Sequence, residues 1–265
     1  PGFFGITNGT ATGYTSWKGA IAVYGNDVGA LCTGSFIHKR VVLTAGHCVY
    51  YPSDSIDYVS DHSGLIILGG ANLDTGATMI SSSVTDVVKY DTWNGDISGV
   101  PSAIDFSLIL LPTNITGPEI YNIRTTTPSA GTEGIIVGYG NSSTGSGAGT
   151  HRVGNTTILG SYYGSWNYMQ IGDPSGTCQG DSGGPLFTQV GSEWQITGVT
   201  SFGGETCVAT SGSYSTNVTN WVSWIDNQVY EWTGEHLGAA SDTDTDTDSD
   251  GDSDSDTDSD TDSDS

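Results

Sequence analysis

Positive charge is almost missing from this chain: six Lys and Arg stand against 30 Asp and Glu, a formal net charge of −24. A surface that neutralises nucleic-acid phosphates needs the opposite sign, so that class of partner is set aside. Twelve of the acids alternate with Ser, Thr and one Gly from Asp242 to Asp264, and the 18 that remain of the 30 still outnumber the six cations. The acidity therefore belongs to the body as well as to the tail, and simple solubility accounts for it. Long apolar runs are missing too, and nothing approaches the roughly 18 residues that cross a bilayer. Cysteine is sparse. Cys32, Cys48, Cys178 and Cys207 are too far apart for a zinc knuckle, and an even count suits two disulfides in an oxidising compartment. The Asp-rich stretch lacks the closing Glu of an EF-hand loop, and no metal or other cofactor is expected. The sequence opens at Pro1 without Met, which leads us to expect that a leader has been removed.

What is present reads as an all-β protein. Hydrophobic residues make up 35% of the chain, enough for a buried core, and 39 glycines punctuate it. Short apolar or alternating runs recur at Ala20–Tyr24, Gly34–Ile37, Val41–Thr44, Leu65–Leu68, Val84–Lys89, Phe106–Leu111, Gly134–Tyr139, Thr156–Gly160, Gly184–Gln189 and Gln195–Thr200. Such spacing indicates antiparallel barrels or sandwiches. Pro112, Pro118 and Pro128 interrupt any strand between Pro112 and Gly131, where a crossing between two halves is expected. Trp221, Ile225 and Val229 fall on one helical face, predicting a terminal helix over Thr219–Trp232 capped by Thr219 or Asn220. Beyond Ala240 the chain has no apolar side chain with which to offset its ordering entropy, so a disordered spacer is predicted over 238–265. Five sequons, at Asn8, Asn114, Asn141, Asn155 and Asn217, are compatible with secretion.

The chemistry is concentrated in three places. In Gly180-Asp181-Ser182-Gly183-Gly184-Pro185 a hydroxyl sits on a tight turn, with glycines that let the backbone bend and expose N–H groups to an oxyanion. In Thr44-Ala45-Gly46-His47-Cys48 a histidine closes an apolar strand next to a cysteine, and pairing of the flanking strands would bring Cys48 to Cys32. Such a loop contributes about 3 kcal/mol in the chain-entropy model. In Ala103-Ile104-Asp105-Phe106 an acid interrupts an apolar run, and a buried carboxylate needs a partner such as an imidazole N–H. Asp105 would then hold His47 in the tautomer that accepts the Ser182 proton. Asp91 and Asp96 are weaker candidates for that role. His38, His62, His151 and His236 lack a comparable context and are read as surface or loop residues.

These pieces, with Ile6-Thr7-Asn8-Gly9, Ser201-Phe202-Gly203, Tyr214 and the terminal helix, resemble the trypsin/chymotrypsin family of serine endopeptidases over residues 6–232, and the order His, Asp, Ser is that of the chymotrypsin type. The resemblance implies two antiparallel six-stranded β-barrels with a C-terminal α-helix, a protease domain over 6–237 and a propeptide remnant over 1–5. It implies His47 as general base, Asp105 as its orienter, Ser182 as nucleophile, and an oxyanion hole from the N–H groups of Gly180 and Ser182. Ile6 would become an N-terminus on activation, its ammonium pairing with Asp181. The specificity pocket would be set by Gly176, Gly203 and Gly212, braced by Cys178–Cys207 and suited to a large apolar or aromatic residue. There are departures. Gly5 precedes Ile6 where many relatives have Arg or Lys, Gly176 replaces the Asp of trypsin-like enzymes, and the region Gly70–Asp74 lacks the paired glutamates of a calcium loop, so that metal site is not carried over. The partners implied are protein or peptide substrates and an unidentified activating protease, for a secreted monomer. The acidic tail lies outside the family pattern and resembles the Asp-repeat spacers of some bacterial surface proteins, with any cell-surface association expected through a region after it. A fold-only binding protein and an attachment protein built around the tail are the rivals.

Overall fold

Runs rich in Val, Ile, Leu and Thr form strands that stop where Gly, Asn or Asp turns the chain. The computed structural model describes residues 6–143, 145–204, 207 and 212–238. The expectations placed on Pro1–Gly5, and on the acidic stretch from residue 239 onward, concern residues outside these. In chain order the strands are β1 (Thr10–Ala11), β2 (Ala20–Gly25), β3 (Ala30–His38), β4 (Val41–Thr44), β5 (Tyr50–Tyr51), β6 (Ile56–Asp57), β7 (Leu65–Gly69), β8 (Thr78–Ser81), β9 (Asp86–Lys89), β10 (Ser107–Leu110), β11 (Glu133–Gly138), β12 (Arg152–Tyr162), β13 (Ser165–Gly172), β14 (Pro185–Val190), β15 (Glu193–Gly203) and β16 (Ser213–Asn217). Helix α1 (Leu73–Gly76) is a single turn and α2 (Val222–Thr233) is the terminal helix.

Two antiparallel sheets follow. The first runs β8-β7-β2-β3-β4-β10-β9 and curls without its end strands pairing, as a half-barrel. The second runs β12-β11-β14-β15-β16-β13 and closes through β12–β13, with β1 added outside on β12. Closure leaves no edge in that barrel, and bulges at Leu186/Phe187 and Thr200/Phe202 let its strands turn the corners. Phe36, Leu43, Leu65, Ile67 and Leu108 are fully buried, as are Ile6, Ile136, Ile158, Met169, Ile171 and Leu186, which form a separate cluster. Each such side chain contributes about 1.5–3 kcal/mol.

The terminal helix starts later than its sequence pattern indicates. A 3-10 turn over Val218–Trp221 precedes α2, and the cap is Asn217, whose side-chain oxygen accepts from the Thr219 N–H at 3.3 Å. Ile225 and Val229 are buried, while Trp221 and Trp224 pack on Phe106 at ring distances of 6.0 and 5.5 Å. That contact fixes the residue next to Asp105, which ties the helix to the site.

Two histidines read as surface groups lie inside. His38 ends β3 and its Nε2 meets Glu235 Oε2 at 3.1 Å. His151 has no exposed surface, bonds Thr12 Oγ1 through Nδ1 at 2.5 Å, and is caged by the rings of Tyr14 and Tyr139. Long-range packing of aromatics hides a residue whose own neighbours are polar. Burial pushes the His151 pKa down to about 4. The unfolded chain takes up this proton near pH 6.5 and the folded chain resists it, so the stability difference is complete above pH 6.5 and is lost as pH falls towards 4, about 3 kcal/mol in all. Urea unfolding of the wild type and His151→Gln between pH 7.5 and 4 should show their stability gap shift by this amount in favour of the variant; a gap independent of pH would contradict it.

Candidate active site

Strand β4 delivers His47. It ends at Thr44, and a 3-10 turn over Gly46–Cys48 places the imidazole just beyond it, with Cys48 bonded to Cys32 across a Cα separation of 6.1 Å. Ser107 lies opposite Thr44 in the β10–β4 register, so the residue two positions before Ser107 reaches the same strand end. That residue is Asp105. Its Oδ1 accepts from the His47 backbone N–H at 2.8 Å and its Oδ2 from His47 Nδ1 at 2.7 Å. The Ser201 hydroxyl donates to the same Oδ2, Tyr168 Oη receives the Asp105 N–H at 2.9 Å, and Thr216 Oγ1 donates to the Asp105 carbonyl at 2.7 Å. A carboxylate held from so many sides cannot follow the ring away from its position.

Burial alone would raise the Asp105 pKa, but the charge of His47 and the hydrogen bonds from its ring, from Ser201 and from the His47 amide outweigh it and hold the carboxyl below its usual range. For His47 burial acts to lower the pKa, and the charge and hydrogen bond of Asp105 overcome it, leaving the imidazole above its ordinary value. The ring is 21% exposed and the carboxylate not at all, so solvent or substrate meets only the far nitrogen of the ring.

Ser182 comes from the other sheet. The turn that carries it is locked through its carbonyls: Asn141 N–H donates to Gln179 O at 2.7 Å, Thr33 Oγ1 to Gly180 O at 2.9 Å, Gly184 N–H to Asp181 O at 2.9 Å and Thr33 N–H to Ser182 O at 2.7 Å. Gly183 has φ +82°, and a Cβ there would lie 2.0 Å from Thr44 Oγ1 and 2.2 Å from Thr33 O, so only glycine lets this turn press against β3 and β4. Among the described residues the N–H groups of Gly180 and Ser182 donate to no protein acceptor. They are two dipoles left available beside one hydroxyl.

His47, Gly180 and Ser182 line one cleft of ≈ 380 Å³, and no hydrogen bond joins the Ser182 hydroxyl to the imidazole among the described residues. Catalytic hydrogen bonds of this kind are often loose before substrate binds. Behind the turn Asp181 is fully buried; its Oδ1 accepts from Gly140 N–H at 2.8 Å and its Oδ2 from Cys178 N–H at 2.9 Å. Burial pushes its pKa up to about 7. Cys32, His47 and Cys48 bring three possible metal donors within 4.8 Å, but both sulfurs are tied in the disulfide, leaving a single imidazole.

The family model described as Trypsin matches residues 6–225. The chain belongs to the trypsin family. It is 29% identical over 249 residues to chymotrypsin-like elastase family member 1 of Homo sapiens, covering 84% of this chain and 92% of that protein. Serine protease SP24D of Anopheles gambiae is 28% identical over 203 residues, covering 73% and 70%. The fold superposes on neuropsin, a serine protease expressed in the limbic system of mouse brain, with a TM-score of 0.69 at 20% identity, over 84% of this chain and all of the other.

A second cavity of ≈ 290 Å³ opens on the other side of Ser182, lined by Thr177–Gln179 and Thr200–Gly204, and none of its described lining residues is charged. Of the three glycines that the trypsin-family pattern assigns to the pocket, Gly203 lines it. Gly176 instead exchanges backbone hydrogen bonds with Thr7, and Gly212 sits behind Gly203, its carbonyl 3.2 Å from where a Gly203 Cβ would be. Cys178 and Cys207 are joined with a Cα separation of 5.2 Å. Ile6 lies in the second-barrel core. Sequence reasoning missed the hydrogen bonds of Tyr168 and Ser201 around Asp105, and missed Gly138 and Gly140, where a Cβ would come within 2.2–2.5 Å of Asp181. The only signal for the glycines was their spacing around Tyr139.

Proposed function

We propose that this trypsin-family chain is a secreted serine endopeptidase that works through an acyl-enzyme, with Ser182 as nucleophile, His47 as general base and then acid, and Asp105 as the group that holds the ring. The observation that carries the reading is the pairing of a locked Asp105–His47 dyad with a serine on a turn whose Gly180 and Ser182 N–H groups have no protein acceptor. In the reaction His47 removes the Ser182 proton as oxygen attacks the carbonyl, the two amides receive the oxyanion, and the imidazolium then protonates the leaving amine. Water repeats the sequence to release the acid. No step needs a cofactor.

The cavity beyond Ser182, with no charged residue among its described lining and with Phe202, Gly203 and Gly204 in its wall, supports cleavage after large apolar or aromatic residues. Activation by a cut at Gly5–Ile6 is part of the proposal. Asp181 is buried with two amide donors and, among the described residues, no cation within ion-pair distance; the Arg152 charge acts on it only from farther off, so a new Ile6 ammonium would supply a direct partner. A spacer role for 238–265 and secretion accompany this reading, the two disulfides supporting an oxidising compartment. The described residues contain no helix long and apolar enough to cross a membrane. A peptide-library digest by the chain carrying Ile6 as its N-terminus should show cuts after Phe, Tyr, Leu or Met, with the uncut chain much slower. Cleavage dominated by Lys or Arg would overturn the pocket assignment, and rapid appearance of the Ile6 terminus in pure uncut chain would overturn the need for a separate activator.

A further inference from the structure

One carboxylate in the cleft has nothing to balance it. Asp54 ends the 3-10 turn Pro52–Asp54 at the tip of the β5–β6 hairpin, where Ser55 takes φ 62° to turn the chain back. The hairpin is braced rather than loose: Tyr50 pairs with Asp57 and Tyr51 with Ile56, Trp93 Nε1 donates to Tyr50 O at 2.9 Å, and Tyr58 N–H donates to Val49 O at 2.8 Å. Asp54 is exposed and lines the cavity that holds His47 and Ser182, and its charge is felt at the imidazole. Among the described residues it makes no hydrogen bond or ion pair. The neighbouring acids differ. Asp57 accepts from Ser60 and Asp96 from Ser98, in each case through both N–H and hydroxyl. Lys89, the cation of this corner, donates to Trp93 O at 2.6 Å and lies over the Tyr50 ring, and no Lys or Arg lines the cleft.

The side of the scissile bond that Asp54 meets follows from the chemistry proposed above, on which this step rests. The residue before the bond enters the cavity at Thr177–Gln179 and Thr200–Gly204. The leaving amine must take its proton from His47, so the segment that follows the bond extends past the imidazole, along Leu31, the Cys32–Cys48 disulfide, Tyr51 and Asp54. We infer that the cleft selects substrates with Lys or Arg at the first or second position after the scissile bond, held by the unpaired carboxylate of Asp54. The substrate class is then a polypeptide in which a large apolar residue is followed directly by a basic one. An exposed ion pair supports a preference of about fivefold over a neutral residue, and repulsion of an acid widens Arg against Glu to about tenfold. With a screening length near 8 Å at 0.15 M salt and about 3 Å at 1 M, the preference should fade as salt rises.

The test uses the full chain, uncut and with Ile6 as N-terminus, on peptides with Phe before the bond and Arg, Ala or Glu at each of the two following positions. At low salt the Arg-to-Glu ratio of kcat/KM should be about tenfold, fall close to one in Asp54→Asn and invert in Asp54→Lys. A wild-type ratio within twofold of one, an Arg preference that persists in Asp54→Asn, or a preference seated before the bond would each overturn the inference while leaving the peptidase reading intact. Failure of both forms to cut any of the peptides would instead bring down the peptidase reading, and this inference with it.

Discussion

Ser182→Ala should lower kcat about a millionfold while leaving the fold in place. Among the described residues the Ser182 hydroxyl makes no hydrogen bond, so it has no structural duty at the turn. The hydrogen bonds that shape the turn use backbone atoms and the side chains of Thr33 and Asp181, among them Thr33 N–H to Ser182 O at 2.7 Å and Asp181 N–H to Cys178 O at 3.0 Å, and an alanine at 182 keeps them all. The Gly180 and Ser182 N–H groups also remain, so a residue of catalysis of about 10³–10⁴ over water should survive from oxyanion binding and substrate placement. Active-site titration and kcat on a Phe peptide, with thermal unfolding as control, check this. A loss below a hundredfold would mean that another group attacks the carbonyl.

Asp105→Asn should cost about 10⁴ in kcat near neutral pH, a larger loss than its effect on binding. The Asn oxygen can still accept from the His47 amide. Its NH₂ group, however, would stand where Oδ2 now accepts from His47 Nδ1 at 2.7 Å, and a donor there forces the ring into the tautomer with its proton on Nε2. That ring cannot take a proton from Ser182. The same change removes the main charge that keeps the imidazole pKa above its ordinary value, leaving only the more distant Asp54 to oppose burial. Because His47 must be neutral to act as base, the acid limb of kcat/KM in the wild type should have its midpoint above the ordinary imidazole value near 6.5, and the limb of the variant should move to lower pH. An unchanged limb would show that Asp105 does not set the charge of His47.

The chemistry was more legible than the architecture that holds it. His47, Asp105 and Ser182 each sat in a local pattern that the structure explains: a strand end beside a cysteine, an acid inside an apolar run, a serine among glycines. The β10–β4 register then brings the first two together. The strands that close the second barrel were harder to see. β16 reads Ser-Tyr-Ser-Thr-Asn, yet Thr216 and Asn217 are fully buried, because they satisfy their polar groups on Asp105, Thr127 and Trp166. Polar residues buried by hydrogen bonding give no hydrophobic period. In β13 the buried side chains are Tyr168, Met169 and Ile171, while Ser165, Asn167 and Gln170 stay half-buried and break the apolar run. Ser201 sat in a recognised segment, but its bond to Asp105 spans 96 positions, and no local rule reveals such a contact.

The most direct measurement is covalent labelling with a fluorophosphonate, which reports a serine made nucleophilic by its surroundings. The chain bearing Ile6 as N-terminus should take up one label, located on Ser182 by peptide mapping, with labelling abolished in Ser182→Ala and greatly slowed in His47→Ala. Labelling of a different residue, or of Ser182 at the same rate without the imidazole, would contradict a His47-activated serine.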